Sequence, residues 1–420
     1  MEHMTFKGPL VGIRVLELGH DMSSSYGARL LADLGAEVIK IEPPELGDPY
    51  RREPPLALGS YDESALFAYL NYGKRSVSLG VESVAGTKLL QQLLERIDVV
   101  ICATNVSDGK SLNLDLASLD PVKRPVIVWV SPHGHLGERS AQPSSPFVVQ
   151  HAAGFAFHQA SPVAEPLSTP PTPCADREGS LAIGIVVANA ALWALSAIEN
   201  GLPKPWVDLS AEDVYAYLLV EPFADWSAGA AVHDRKRIAG KPTMVAGGLV
   251  WLLPCADGSI MISPREDHQW ERWLDVMGHP KWSKDPAFCG NREIRVENAP
   301  AVGKMMSEWS IHQKCQEVFA KAQEQRVACF PVSTAKDMLV SEQLAHRQFY
   351  SKLRLASGKT VPIAGLPFLM RTSTGKTLVR GNEVAAPALG EANLEMIGTQ
   401  LHLVGHAVDQ IKPIGEQTAP

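Results

Sequence analysis

At 420 residues, with 45% hydrophobic and 20% charged side chains, the chain is long enough for two cores and far from a disordered or fibrous composition. A formal charge of -7 with no long Lys/Arg block excludes a basic footprint for nucleic acid, and the most apolar run, Leu181 to Ile198, contains Asn189 and reads as a buried helix rather than a membrane span. MEHMTFKGPL lacks the order of a signal peptide, and the cysteines (Cys102, Cys174, Cys255, Cys289, Cys315, Cys329) show neither CxxC nor matching His spacing, so free thiols, no metal and a cytoplasmic location are expected.

Val11 to Gly19 is a short run rich in β-branched and leucine residues, and SSYGARLLADLGAEVIKIE then gives a helical stripe, a stop at Gly35 and a second strand. That is a βαβ unit and implies a parallel sheet, with Ser23, Ser24 and Ser25 offering N-cap hydroxyls at the first turn. RSVSLGV reads as a strand, SVAGTKLLQQLLERI as an amphipathic helix, and DVVICA and PVIVWVS as further strands. The alternation predicts a doubly wound, Rossmann-like α/β domain without a GxGxxG turn.

A Pro/Ser/Ala-rich passage from Ser140 to Pro173 precedes a long helix over Ser180 to Asn200. GLPKPW breaks that helix, VDLSAEDVYAYLL resumes a strand and helix, and GGLVWLLPCADGSIMISP reads as a hairpin turned at Ala-Asp-Gly-Ser. Helical patterns around Trp270 to Met277 and Ile311 to Gln323 complete a smaller α/β segment, and KLRLASGKTVPIAG reads as a late hairpin.

GIRVLELG, LLADLGAEVIKIEPPELGDPYR, LNYGKRSVSLGV, ADREGSLAIG, VDLS, CADGSIMI and APALGE, in that order, closely resemble the class III coenzyme A transferase superfamily. That superfamily includes formyl-CoA and carnitine-CoA transferases and the related α-methylacyl-CoA racemases, and the resemblance runs from Pro9 to about Ile397. It implies a large Rossmann-like parallel-sheet domain formed by both chain ends, 1–228 with a C-terminal segment over 331–420 that returns to it, plus a smaller α/β domain over 229–330, in an interlocked dimer. The implied activity moves coenzyme A from an acyl-CoA donor to a carboxylic acid acceptor. Coenzyme A is then the one cofactor, and the partner is a second copy or a related subunit of a heteromer.

In PCADREGSLAIG the resemblance makes Asp176 the nucleophile, attacking the thioester to give a mixed anhydride and then an aspartyl-CoA thioester. A helix N-terminus would favour its anionic form, while the competing reading is a plain N-cap. Arg51, Lys74 and Arg75 match the family's basic residues near the nucleotide end of CoA, where forked and compact cations suit phosphate. The alternatives are a solvated Arg51 and Arg52 paired with Asp48 or Glu53, and an exposed Lys74–Arg75 pair. Met22, Lys40, Asn105 and His133 complete the implied CoA-binding set, although two loop histidines such as His133 and His135 are commonly just exposed. Gly247 and Gly248 match a glycine loop whose N–H groups can meet an oxyanion, or form a plain turn.

The chain departs from the family where Ser24 and Ser25 replace a Gly-Pro pair and where Cys102 to Asn105 replaces Glu-Asn-Phe. These losses motivate the alternative of a non-catalytic, CoA-binding subunit. Arg177 and Glu178 are bulkier than usual beside the nucleophile, and either could pair with Asp176. Ser145 and Pro146 stand where the racemases carry Gly-His-Asp, and His151 reads as a structural histidine, so the racemase reading ranks below transfer. Trp193, Tyr215, Trp226 and Trp251 are candidates for a bulky acyl pocket or for core.

Overall fold

A computed structural model describes residues 8–56, 64–103, 124–159, 163–171, 176–230, 235, 244–245, 248–355, 357–371, 373–375, 377–378 and 383–399. The chain divides into two compact units, one formed by 1–161, 170–234 and 345–420 and the other by 162–169 and 235–344.

The first unit is built on a six-stranded sheet in the order β3-β2-β1-β4-β5-β6. Its strands are β1 (Arg14–Gly19), β2 (Glu37–Glu42), β3 (Arg75–Ser78), β4 (Val99–Ala103), β5 (Val126–Ser131) and β6 (Trp206–Ser210). Every pairing is parallel, as crossover helices require, which gives the doubly wound order with its reversal between β1 and β4. One face buries Val15, Val38, Ile101 and Val128 under helix α1 (Met22–Asp33) and the long helix Asp176–Glu199. The opposite face buries Leu16, Ile39, Val100 and Ile127 with Leu90 and Leu93 of helix α3 (Val84–Leu94), and with Ala392 and Met396 of the returning C-terminal segment. Helix α2 (Ala65–Asn71) precedes β3. The late hairpin is present as Tyr350–Arg354 paired with Thr360–Ala364.

Helix α1 is capped differently from the sequence expectation. Asp21, rather than a serine, is the N-cap, and its carboxylate accepts from the Ser23 and Ser24 backbone N–H groups. A carboxylate at that position also opposes the positive end of the helix, which a neutral hydroxyl does less well.

Among the described residues one helix, Arg177–Glu199, is long and apolar enough to cross a membrane. Here it is a packing helix. A Cβ on Gly27 of α1 would lie 2.7 Å from Val187, and one on Gly184 would lie 2.9 Å from Tyr26, so the two helices approach backbone to backbone. Val187 and Ala191 are fully buried in this contact.

The second unit holds an antiparallel sheet of Trp251–Cys255, Gly258–Ile262 and Cys329–Pro331, the first two forming the expected hairpin. Helix Asp267–Met277 carries Trp270 and Trp273 into a core shared with Val302, Met306 and Val318. The short segment 162–169 joins this unit through Val163 N–H donating to the Arg235 carbonyl, 2.8 Å.

Candidate functional site

Open parallel sheets place ligands at the carboxyl ends of their strands, near the reversal of strand order. In the first unit that edge holds a cavity of about 1050 Å³, bounded by Gly19 at the end of β1, Ile41 and Glu42 of β2, Leu79 after β3, Ala103 of β4 and Val130 and Ser131 of β5. Gly19 is required there, since its φ is +113° and a Cβ would fall 2.4 Å from the Ala103 carbonyl oxygen. From the helical side the cavity is closed by Met22 and Ser23 of α1 and by Ser180 and Ile183 of the long helix.

Asp176 is the first residue of that long helix. Ser180 and Ile183 follow at i+4 and i+7, so Asp176 occupies the helix face that walls the cavity. The same turn is held close on its flank. A Cβ on Gly179 would come 2.7 Å from both Gln150 Nε2 and Tyr215 Oη, and Tyr215 itself lines the cavity. Arg177 turns elsewhere, donating to the Pro54 carbonyl at 3.0 Å with Glu53 3.6 Å away.

Behind the cavity floor lies a cluster of buried charge. Glu17 and Lys40 are register partners on β1 and β2, both fully buried, with Lys40 Nζ 2.6 Å from Glu17 Oε1 and 2.7 Å from Asp48 Oδ2. Lys74 Nζ donates to Glu17 Oε2 at 2.6 Å, and to the Ser25 carbonyl and Asn71 Oδ1, both at 2.8 Å. Burial alone would raise the Glu17 carboxyl, but the two ammonium groups hold it down at about 2. Burial lowers Lys74 to about 8, helped by Lys40 and opposed by Glu17. Burial also works to lower Lys40, yet Glu17 and Asp48 leave it raised. Asp48 is depressed against its own burial, chiefly by Lys40, and His20 on the cavity wall lies 3.8 Å from it.

The remaining expected residues fall in distinct places. Arg51 grips Glu42 through Nε at 2.7 Å and Nη2 at 2.6 Å, donates to the Pro387 carbonyl at 3.1 Å and lies 4.0 Å over the Phe67 ring. Those bonds keep Glu42 ionised against burial. Arg75 bridges Glu37, at 2.9 Å, and Glu395. The structure therefore brings Met22 and the Asp176 helix to the cavity, and it places Lys40 and Lys74 within the ion cluster behind it.

The side chains of His133 and His135 are largely enclosed rather than exposed. His133 Nδ1 lies 2.7 Å from Glu212, and His135 Nδ1 lies 2.9 Å from Asp208, so both rings tie the loop after β5 to β6 and the helix that follows. His151 is held by the Phe147 carbonyl at 2.8 Å. Asn105 and Gly247 lie outside the described residues. Gly248 belongs to the second unit, paired with Val245, with Arg265 Nε 2.6 Å from where its Cβ would be. Of the aromatic candidates, Tyr215 lines the cavity, Trp251 is core of the second unit, and Trp193 and Trp226 are about 70% exposed.

Sequence reasoning passed over Glu17, Gln150, Ser131 and Ser144, and it named Asp48 only as a partner for Arg51 or Arg52. Glu17 carried a usable signal, an acid inside the apolar run VLELG. The others carried none, since a serine or glutamine in a loop or helix is unremarkable until its surroundings are known.

The model of CoA-transferase family III matches residues 10–393. A succinate–glutarate CoA-transferase of Agrobacterium fabrum is 24% identical over 93% of this chain and 95% of its own length. The BbsE subunit of the succinyl-CoA:(R)-benzylsuccinate CoA-transferase of Thauera aromatica is 27% identical over 84% and 86%. A crystal structure of a CaiB/BaiF family protein from Brucella suis superposes with a TM-score of 0.77 at 24% identity, covering 92% of this chain and 97% of that one.

Proposed function

The chain belongs to CoA-transferase family III and transfers coenzyme A from an acyl-CoA to a carboxylic acid, and from that premise we propose that the transfer runs covalently through Asp176. One observation carries the proposal: Asp176 opens a 24-residue helix on the same face as the two residues that wall the cavity at the carboxyl edge of the sheet. A helix N-terminus favours a carboxylate by about 0.3–1 kcal/mol. In that place the anion serves as nucleophile toward a thioester lying in the cavity.

The sequence of bonds closes without net proton transfer. An Asp176 oxygen bonds to the donor acyl carbon, the C–S bond breaks, and CoA leaves as thiolate from a mixed anhydride. The thiolate then attacks the Asp176 carbonyl carbon, releasing the donor acid as carboxylate and forming the aspartyl-CoA thioester. The acceptor carboxylate attacks that same carbon and expels the thiolate, which next attacks the acceptor acyl carbon. New acyl-CoA and free Asp176 result.

The acids handled by the relatives named above, succinate, glutarate and benzylsuccinate, support a dicarboxylic donor such as succinyl-CoA. Intact-protein mass spectrometry after incubation with succinyl-CoA, and hydroxylamine trapping, tests the pathway. The native protein should carry an adduct that Asp176→Ala lacks; full transfer activity in the variant would sink the proposal.

A second reading is favoured by the BbsE relative, which is named as a subunit: this chain works with a related partner chain. The apolar side chains left exposed on the long helix and the two that follow β6, Trp193, Tyr217, Val220, Phe223 and Trp226, support burial against another chain, an interlocked second copy in the simpler case. Light scattering of the purified chain, paired with its activity alone, separates the cases. A dimer active by itself excludes the need for a different partner.

A further inference from the structure

We propose that Ser131 and Ser144 read an oxygen function on the acyl chain, so that this enzyme selects hydroxy-, oxo- or dicarboxylic acids over plain alkyl acids of the same length. The proposal rests on the reading of the cavity as the acyl-CoA site.

Other described serine hydroxyls are satisfied by nearby protein groups. Ser25 donates to Glu17, Ser76 to Glu42 and Ser310 to the Pro254 carbonyl, while Ser145 and Ser210 accept from backbone N–H groups at helix starts. Among the described residues only two buried hydroxyl oxygens have no hydrogen-bond partner, those of Ser131 and Ser144. Both residues line the same cavity. Ser131 ends β5 and is 3% exposed, so no bulk water compensates it. A buried hydroxyl without a partner is costly, and two in one cavity point to a ligand that completes them.

Their position indicates which part of the ligand. Ser131 and Ser144 share the cavity wall with Pro146, Ile183 and Ala211, and with Tyr215, the residue packed against Gly179 beside Asp176. Gln150 backs that wall. It is fully buried, its Nε2 donates to Tyr215 Oη at 3.4 Å, and its Oε1 has no partner, which makes it a positioning residue for Tyr215. The acyl carbon that Asp176 attacks lies by the first turn of its helix, and the carbons beyond it meet the two hydroxyls. Among the described lining residues the acids Asp21, Glu42 and Glu82 sit on the α1, β2 and β3 side, and the Ser131 to Tyr215 part carries only neutral groups. Neutral donors serve a hydroxyl, a ketone or a second carboxylate alike, and they are left unpaired by a methyl group. Sites that bond a substrate oxygen in this way reject the analogue that lacks it far more strongly than apolar pockets reject an extra oxygen.

The test measures kcat/KM for butanoate, 3-hydroxybutanoate and succinate as acceptors, with the donor established by the adduct assay, in the native protein and in S131A, S144A and S131T. Native protein should favour the oxygen-bearing acids by roughly tenfold or more, and each alanine variant should lower that ratio by roughly tenfold, with S131T retaining it. A collapse confined to succinate identifies a carboxylate as the group read, and one confined to 3-hydroxybutanoate identifies a hydroxyl. An unchanged ratio in an active, folded variant overturns the proposal and leaves the hydroxyls holding ordered water only. Equal losses on all three acids overturn it in favour of a structural role. Failure of the native protein to transfer CoA to any acid, with CoA still bound, overturns the site reading itself.

Discussion

Replacing Glu17 by Gln preserves the side-chain shape and removes the anion that holds two buried ammonium groups. Lys40 keeps Asp48, 2.7 Å away, but Lys74 is left with the Ser25 carbonyl and Asn71, both neutral. Leaving a buried charge without its partner costs about 3–5 kcal/mol, and the loss falls inside the unit, where the Glu17 and Lys74 side chains are fully buried. The pH dependence is the sharper expectation. In the native protein Lys74 titrates at about 8, below its unfolded value of 10.5, so the unfolded chain binds the extra proton and stability rises with pH only above about 8. Without Glu17 the folded value drops further, and the variant begins to gain stability at a lower pH. Between that value and pH 8 the deficit of E17Q should therefore narrow by about 1.4 kcal/mol per pH unit. Urea unfolding of both proteins at about pH 6.5, 7.5 and 8.5 measures it. Adding Lys74→Met to E17Q should recover part of the loss, because the orphaned charge is gone. A deficit below about 1 kcal/mol that stays constant with pH would refute the argument that these ions are held by one another.

Three further outcomes follow from local geometry. Gly179→Ala places a methyl 2.7 Å from Gln150 and Tyr215, and it should lower kcat by more than it lowers the thermal midpoint; a proportionate fall in both would mean the contact is purely structural. Gly19→Ala meets the Ala103 carbonyl at 2.4 Å with φ at +113°, so soluble yield should drop and the unfolding free energy from urea titration should fall by about 2 kcal/mol or more. In the second unit burial pushes the Cys315 thiol up to about 12 and the Cys329 thiol up to about 11. Iodoacetamide at about pH 8 should therefore spare both until the protein is denatured, and rapid native labelling of either, read by peptide mass spectrometry, would contradict their burial.

The alternation of short apolar strands with helical stripes was sufficient to anticipate the parallel sheet, because the central strands β1, β2, β4 and β5 are buried on both faces and so read as mostly apolar runs. The hairpin of the second unit was equally legible, since Ala-Asp-Gly-Ser between two alternating runs leaves few other folds for the backbone. The destinations of charged side chains were not legible. Lys40 alternates with Ile39 and Ile41 like any half-exposed strand residue, and only the β1–β2 register sets it opposite Glu17. Pairing depends on which residues of two strands share a level, and a single sequence does not display that. The paired histidines are missed for the same reason. His133 and His135 stand in a loop that composition reads as exposed, while their acids, Glu212 and Asp208, are more than seventy residues downstream.

The same reasoning accounts for the run DLGAEVIKIEPPELGDPYRRE, whose apolar strand ends in prolines, a Gly-Asp turn and two arginines. Glu42, the last residue of β2, accepts the Asp48 backbone N–H at 2.9 Å and both arms of Arg51, while Asp48 turns back to Lys40. Asp48 and Arg51 are thus answered by Lys40 and Glu42 of the strand, and the turn folds back on β2. Glu42, Pro43, Pro44 and Tyr50 line the cavity, so these ion pairs fix the shape of one wall. A wall held by buried, mutually satisfied ions changes little when a ligand enters, because moving any one of them would strand another in a low-dielectric interior. Discrimination between acids must then come from groups whose hydrogen bonds are still open, and on this cavity the described residues with buried, unpartnered hydroxyls are Ser131 and Ser144.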